Sequence, residues 1–288
     1  MTTMQRFDEL MQREDARIDL AEACLLIAED AYPGLRVEHY LGEIERMAIR
    51  LRSRLPQSNG AEERVIALNQ FLFDDLGFRG NAKDFYDARN SYLNQVLERR
   101  VGIPITLSIV YMEVGRRIGL PLEGVSFPGH FLVKLKLRGG VLVLDPFVGG
   151  EPLAEDDLRE RLRRVVNASG QRSTALGGLT VEQLPLDQLL EPATRKQILT
   201  RVLRNLKGIY RKDDKPERLL QVINRILTVS PDAHHELRDR GLVYRRLECF
   251  RAALKDLNDY LEADPEASDS DEIRAQAVEL SMQCARLN

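Results

Sequence analysis

The amino-acid sequence predicts an α+β fold, with a helical N-terminus and a small antiparallel sheet, followed by an all-α repeat region. Three observations lead to this fold class. Apolar residues recur at helical spacing in the first eighty residues, and short β-like runs lie between residues 122 and 144. Pro231 and Pro265 stand 34 residues apart in a helical C-terminal segment. We place the domain boundary after residue 178, which gives domains of 1–178 and 179–288.

Three amphipathic helices are predicted before residue 80. Their apolar residues recur every three or four positions, and a helix-ending Pro33, Pro56 or Gly77 follows each of them. The predicted helices cover residues 18–28, 41–51 and 65–72. Residues 80–90 have the composition of a loop but include Phe85 and Tyr86, so we expect an ordered loop that packs against the core.

A strongly apolar helix is predicted from Pro104 to Arg117, and three short β-like runs follow it at 122–127, 131–137 and 141–144. The last two runs flank Arg138-Gly139-Gly140, which is a hairpin signal. A charged helix is predicted from Glu155 to Arg164, between Gly149-Gly150 and Gly177-Gly178. Its basic run is Arg159, Arg161, Arg163 and Arg164. A solvated helix face explains this run most simply, and an anion or partner site is the alternative.

The C-terminal segment contains a repeat. In a 34-residue register Tyr210 aligns with Tyr244 and Lys207 aligns with Gly241. This period and these residue types are typical of the tetratricopeptide repeat, a helix–turn–helix unit whose stacked copies form a binding surface. We therefore expect a protein or peptide partner on the repeats, with Tyr210 and Tyr244 as candidate binding residues.

Composition excludes several function classes. The chain has 288 residues and a formal net charge of -3, and this charge argues against electrostatic binding to nucleic acid or to an anionic membrane. The sequence has no stretch of ~20 apolar residues and no export signal at its start. Its three cysteines form no CxxC motif, which argues against a disulfide framework or a zinc site. We expect a cytoplasmic protein without a metal or a cofactor.

His130 is the most suggestive of the four histidines, because it follows Pro128-Gly129 and opens a predicted strand. Asp145 closes the next strand. Acyl-transfer catalysis uses an imidazole that a carboxylate orients in this way. The pair is therefore a candidate catalytic dyad, provided that the hairpin brings the two side chains together.

The register of the hairpin decides whether they meet. A four-residue loop at 137–140 pairs Lys136 with Val141 and leaves His130 one diagonal step from Asp145, ~7–8 Å between backbones. A two-residue turn at Gly139-Gly140 instead separates the pair by ~13 Å along the strand. Both alternatives fit the sequence.

Polar residues in and after the 80–90 loop are candidate binding residues of a cleft beside His130. The candidates are Asn81, Asp84, Asn90 and Asn94. Asn and Asp also cap helices and close turns, which is the simpler interpretation. A metal site at Asp84 and Asp87 lacks further clustered ligands.

Several stretches, in order, resemble the bacterial SirB family, in which a transglutaminase-like core of the papain type precedes tetratricopeptide repeats. The stretches are Gly77-Phe78-Arg79-Gly80-Asn81, Asp84-Phe85-Tyr86-Asp87, Asn90-Ser91-Tyr92-Leu93-Asn94, 99–107, 128–133 and 144–150. Active members of the wider superfamily use a Cys–His–Asp triad, with the Cys at the N-terminus of the central helix. The resemblance places the His on His130 and the Asp on Asp145. It places the nucleophile on Pro104, which has no reactive group.

The resemblance therefore implies a bacterial pseudoenzyme with a regulatory role. We interpret the protein as a non-catalytic interaction protein that uses a cleft and a repeat surface. The alternative is an enzyme that hydrolyses or transfers amide or ester bonds. In that case His130 and Asp145 would support a hydroxyl nucleophile such as Thr106 or Ser108. The sequence leaves the oligomeric state and the openness of the cleft undecided.

Overall fold

The computed structural model describes residues 2–55, 60–168 and 180–286, and the contacts within it divide the chain into two units. Asp15–Ile198 form the first, which we call the mixed unit. Met1–Glu14 and Leu199–Asn288 together form the second, the helical unit. Pro56, Gly177-Gly178 and the boundary that we predicted after residue 178 lie outside the described residues.

The α+β fold class is confirmed, because the mixed unit combines helices with a small antiparallel sheet. Its three N-terminal helices lie where the apolar spacing predicts them. The chain begins with α1 (Thr3–Met11) of the helical unit, and the helices of the mixed unit are α2 (Leu20–Glu29), α3 (Val37–Arg52), α4 (Ala61–Asn69), α5 (Leu93–Arg99), α6 (Pro104–Arg117), α7 (Glu155–Ala168) and α8 (Leu186–Leu189).

Helix α6 is the centre of the mixed unit. Every residue from Pro104 to Gly115 is buried, and α2, α3, α4 and α5 all contact this helix. Pro104 occupies the first helical turn, where its missing N–H leaves no hydrogen bond unmade. At the other end the helix stops before Gly119, which has a φ of +82°. The structure thus reproduces both predicted ends of the helix.

Two sheets accompany the helices. A short parallel pair joins β1 (Arg79–Gly80) to β2 (Val101–Gly102). The larger sheet is antiparallel, has the strand order β3-β4-β5-β6 and consists of β3 (Glu123–Val125), β4 (Leu132–Leu137), β5 (Gly140–Asp145) and β6 (Glu151–Leu153). Strands β3, β4 and β5 match the three predicted runs, whereas β1, β2 and β6 were not predicted.

The β4–β5 hairpin adopts the register that brings His130 close to Asp145. Lys136 pairs with Val141, as the four-residue loop requires. The ladder continues for one more pair, Leu137 with Gly140, so the connecting loop is only Arg138-Gly139. The alternative turn at Gly139-Gly140 is wrong.

One face and one edge of this sheet are covered by other parts of the unit. Leu158 and Leu162 of α7 pack into a buried cluster with Val125, Phe127 and Leu132. The segment after α8 covers the outer edge of β3, because the Ala193 N–H donates to the Gly124 carbonyl at 2.8 Å. A covered edge cannot pair with another strand.

The helical unit contains α1 together with α9 (Arg195–Lys212), α10 (Pro216–Val229), α11 (His234–Arg246), α12 (Phe250–Ala263) and α13 (Ser270–Arg286). The boundary between the two units falls within α9. Gly241 marks the tight contact of the repeat, because a Cβ at this position would lie 2.7 Å from Leu257 Cδ2. Helix α1 packs on α10, where the Arg225 guanidinium lies 4.5 Å from the Phe7 ring centroid. Over the described ranges, each helix is too short or too polar to span a bilayer.

Candidate functional site

A tight turn places His130 two residues before β4. Gly129 has a φ of +68°, a conformation that favours glycine. A Cβ at Gly129 would also lie 2.5 Å from Val165 Cγ2 of α7. The His130 N–H donates to the Phe127 carbonyl at 3.1 Å, which closes the turn. The backbone that carries the imidazole is therefore fixed on both sides.

The structure brings His130 and Asp145 into direct contact. His130 Nε2 lies 3.0 Å from Asp145 Oδ1, which is a hydrogen-bond distance. The His130 side chain is 16% exposed, and the Asp145 side chain is completely buried. The dyad that the hairpin register required is therefore geometrically present.

Asp145 is, however, engaged by two further groups. Its Oδ1 also accepts a hydrogen bond from the Phe147 N–H at 3.0 Å. Arg161 of α7 forms an ion pair with the other oxygen, with 2.7 Å between Nη2 and Oδ2. Sequence reasoning placed Arg161 in a basic run but missed this contact, because its partner is distant along the chain. The carboxylate thus links the turn before β4, the end of β5 and α7.

An aromatic wall covers the imidazole on another side. The Phe147 ring meets the His130 ring edge-on, with 5.8 Å between centroids. Phe85, from the 80–90 loop, packs against Phe147 at 6.5 Å. A Cβ at Gly80 would clash with the Phe147 ring at 2.5 Å, so this glycine permits the close packing. Phe85 thus packs one side of the loop on Phe147, whereas Tyr86 is 67% exposed.

The residues at the candidate nucleophile positions are buried, and none of them is placed to attack a substrate. Pro104, Thr106 and Ser108 all lie in the buried part of α6. Thr106 Oγ1 donates to the Asn90 carbonyl at 2.7 Å and accepts from the Ile103 N–H at 3.1 Å. Ser108 Oγ has no hydrogen-bond partner among the described residues. Neither hydroxyl is therefore activated by a base within this part of the chain.

Cys24 offers no replacement nucleophile. Cys24 lies on α2 in the mixed unit, and burial raises the pKa of its thiol far above the usual range. A buried thiol of this kind is a poor nucleophile, since the thiolate is the reactive form. Cys249 and Cys284 belong to the helical unit.

The polar residues of the loop bind mainly to one another. Asn81 Oδ1 accepts from the Asp84 N–H at 3.0 Å, and Asn90 Nδ2 donates to the Asp84 carbonyl at 2.7 Å. Asn90 is completely buried, so its amide fixes the loop from inside. Asn94 is buried on α5, and its Oδ1 accepts no hydrogen bond within the described chain. These contacts support the interpretation that the loop asparagines close turns.

Asp87 is held by arginines. Arg89 and Arg99 form ion pairs with it at 2.7 and 3.6 Å. Burial alone would raise the pKa of Asp87, but the hydrogen bonds and charge of Arg89 outweigh it and lower the pKa. Among the described side chains, no group of three or more His, Cys, Asp or Glu is arranged to hold a metal ion.

The helical unit contains a buried network of charges centred on Asp239. Lys207 Nζ lies 2.6 Å from Asp239 Oδ2, Arg238 Nη2 lies 2.8 Å from Oδ1, and Arg211 also pairs with Oδ2. Lys207 pairs with the buried Glu236 as well. Burial alone would raise the pKa of Asp239, but hydrogen bonds from Lys207 and Arg238 and nearby positive charge lower it to about 2. The network links α9 to α11.

The two repeat tyrosines occupy different environments. Tyr210 is buried on α9, with 6% of its surface exposed, so it contributes to packing. Tyr244 is half-buried on α11 and packs against the core of the later helices, near the Arg240 guanidinium. Their role in binding stays a prediction.

Comparisons with known proteins match both regions. A model of the transglutaminase-like superfamily matches residues 38–204, and a tetratricopeptide-repeat model matches residues 206–277. The UPF0162 protein of Xylella fastidiosa (strain Temecula1) is 42% identical over 275 residues, which cover 96% of this chain and 94% of that protein.

More distant relatives cover nearly as much of the chain. The UPF0162 protein YchA of Escherichia coli (strain K12) is 28% identical, and Protein SirB1 of Salmonella typhimurium is 26% identical. Each comparison covers 89% of this chain and 91% of the relative. A solved structure of menin reaches a TM-score of 0.41 at 12% identity, over 96% of this chain and 73% of that chain, a likeness too weak to identify a fold.

Proposed function

Starting from the fact that the chain belongs to the family of the UPF0162 proteins and SirB1, with a transglutaminase-like core and tetratricopeptide repeats, we propose that it is a non-catalytic, cytoplasmic protein-interaction protein. Its core is a degenerate transglutaminase-like domain in which His130 and Asp145 stabilise the structure. Its repeat helices bind a protein or peptide partner, as stacked tetratricopeptide helices generally do.

The observation that carries this proposal is the state of Asp145. An acyl-transfer triad needs a carboxylate that serves the imidazole, and an imidazole that serves a nucleophile. Here Arg161 and the Phe147 N–H share the carboxylate with His130. Pro104 stands where the family resemblance puts the nucleophile, and it has no group that could attack.

The hydrolase or transferase alternative has less support. Thr106 donates its proton to a backbone carbonyl, and Ser108 is completely buried. A serine or threonine nucleophile instead requires a hydrogen-bonded base and access to the substrate. We therefore keep the alternative only as the outcome that a catalytic assay would reveal.

A catalytic assay tests the first half of the proposal. Full-length protein and the variant His130→Ala should both show no turnover of fluorogenic ester and amide substrates above the buffer rate. Neither should transfer an acyl group to an added amine. Turnover by the natural sequence that His130→Ala abolishes, with the fold intact by circular dichroism, would establish an enzyme and refute the proposal.

Affinity capture tests the second half. Tagged full-length protein should capture specific proteins from a bacterial extract, and His130→Ala should capture the same set at the same level, because the dyad has no part in binding. Capture of nothing above the tag-only control argues against an interaction role. If folded His130→Ala no longer captures these proteins, the transglutaminase-like core, and not the repeats, binds the partner.

A further inference from the structure

The helical unit has a cavity of about 350 Å³ with an apolar floor and a charged wall. Leu219, Leu242, Val243 and Ile273 provide the floor, and they come from α10, α11 and α13. Arg211, Arg238, Arg246, Asp239, Asp269 and Glu272 provide the wall. A cavity of this kind favours a ligand that has an aliphatic part and a charged part.

Two of the three carboxylates in the wall are already neutralised. Asp239 has three cationic partners, Lys207, Arg211 and Arg238. Asp269 pairs with Arg238 Nη1 at 2.6 Å and accepts a hydrogen bond from Tyr260 Oη at 2.6 Å. These acidic groups therefore hold little attraction for a further cation.

Two of the arginines, in contrast, have donors to spare. The side chains of Arg211 and Arg246 are 59% and 51% exposed. Within the described chain each guanidinium makes one ion pair through a single Nη atom, to Asp239 and to Asp214 respectively. A guanidinium has five N–H donors, so most donors of both groups remain available to a ligand.

The internal partners of these arginines are also easily replaced. Asp239 keeps Lys207 and Arg238 when Arg211 turns to a ligand. Asp214 is 69% exposed, so water solvates it when Arg246 moves away. Binding an anionic group therefore leaves no buried charge unpaired.

From this surplus of donors we propose that the cavity binds an acidic peptide segment in which a carboxylate side chain stands next to aliphatic ones. The carboxylate pairs with Arg211 and Arg246, and the aliphatic side chains lie on the leucine and valine floor. Glu272, the wall carboxylate that no described cation neutralises, repels a doubly charged phosphate more than a singly charged carboxylate, which distinguishes this site from a phosphopeptide site. This proposal rests on the proposed function, and it names the chemistry of the partner.

Fluorescence anisotropy with defined peptides tests it on the full-length protein. The probe is a labelled peptide with two glutamates beside two leucines. The control peptide has the same sequence with glutamine in place of each glutamate. We expect the glutamate peptide to bind at least about tenfold more tightly, because its carboxylates accept charge-assisted hydrogen bonds from the arginines that neutral glutamine side chains cannot match. The double variant Arg211→Gln/Arg246→Gln should lose this preference. The control Arg274→Gln, a half-exposed arginine on α13, should keep it.

The outcomes separate the two proposals. Equal binding of both peptides, or a preference that survives Arg211→Gln/Arg246→Gln, refutes the acidic-peptide site. Tighter binding of a phosphoserine version than of the glutamate peptide also refutes it. If the protein captures partners from extract at an undiminished level in the double variant, the interaction role stands and only the assignment of this cavity fails.

Discussion

Asp145 combines complete burial with a formal negative charge, a combination that is stable only when other groups compensate the charge. His130 and the Phe147 N–H supply hydrogen bonds, and Arg161 supplies the positive charge. Each of these groups comes from a different part of the chain: the turn before β4, the turn after β5, and α7. At the scale of single residues, the carboxylate therefore stabilises tertiary structure.

Removal of Arg161 should cost more stability than removal of a neighbouring arginine. Arg161→Ala leaves the buried Asp145 carboxylate without its cation, and we expect a loss of roughly 2 kcal/mol, because the Arg161 side chain is itself 25% exposed. Arg164→Ala, on the same helix but 75% exposed and paired with Glu160, should cost less than about 0.5 kcal/mol. Urea unfolding followed by circular dichroism measures both.

A double variant checks the cause. Adding Asp145→Asn to Arg161→Ala removes the unpaired charge, so the double variant should regain part of the lost stability. Equal losses for Arg161→Ala and Arg164→Ala, or no recovery in the double variant, would show that the ion pair does not stabilise the fold.

The sequence predicted part of this site. His130 and Asp145 could be paired because a hairpin relates their positions through local geometry, with one open choice of register. Arg161 could not be assigned, because nothing in a basic run tells which arginine reaches a carboxylate on another element. The partners of Asn90 were hidden for the same reason, since Thr106 reaches its carbonyl across the tertiary fold.

At the scale of elements, the ends of a helix could be predicted where local residues determine them. Helix α6 begins at Pro104 and ends before Gly119, and both residues act through the backbone of the helix itself. Strand β6 has three residues, including Pro152, and such a short edge strand has no alternating pattern to detect. The β1–β2 pair depends on contact between distant segments, which a local pattern cannot show.

Replacing either of two glycines in the repeat helices by alanine should change the stability of the protein, but in opposite directions. A Cβ at Gly241 would lie 2.7 Å from Cδ2 of the completely buried Leu257 and 3.2 Å from the Ala253 carbonyl oxygen. Gly241→Ala should therefore destabilise the protein by about 1 kcal/mol, because overpacking exceeds the gain in helix propensity. A Cβ at Gly208 of α9 would meet no described atom within 4 Å, so Gly208→Ala should stabilise it by roughly 0.5–1 kcal/mol.

Thermal and urea unfolding of the two alanine variants decide this prediction. Both substitutions add the same methyl group to a helix, so each serves as the control for the other. Stabilisation of both variants would mean that α11 and α12 pack less closely around Gly241 than the structure shows. Destabilisation of both would mean that Gly208 has a packing partner.

At the scale of the whole molecule, the helical unit is discontinuous in sequence, since it combines Met1–Glu14 with Leu199–Asn288. This assignment of α1 could not be predicted, because an amphipathic helix does not specify which distant surface it packs on. Phe7 is completely buried, and the guanidinium of the buried Arg225 lies over its ring. A cation near an aromatic face is attracted to it, and more strongly when both are shielded from water.

The start of the chain should therefore protect a helix more than two hundred residues away. Phe7→Ala removes the ring from the completely buried site beside Arg225, and we expect a loss of roughly 3 kcal/mol and faster amide hydrogen exchange in α10. Met4→Ala, on the same helix but 41% exposed, should leave exchange in α10 unchanged. Hydrogen exchange followed by mass spectrometry resolves the α10 peptides. If α10 keeps its protection in Phe7→Ala, α1 contributes nothing to the repeat helices, and the discontinuous unit would have to be abandoned.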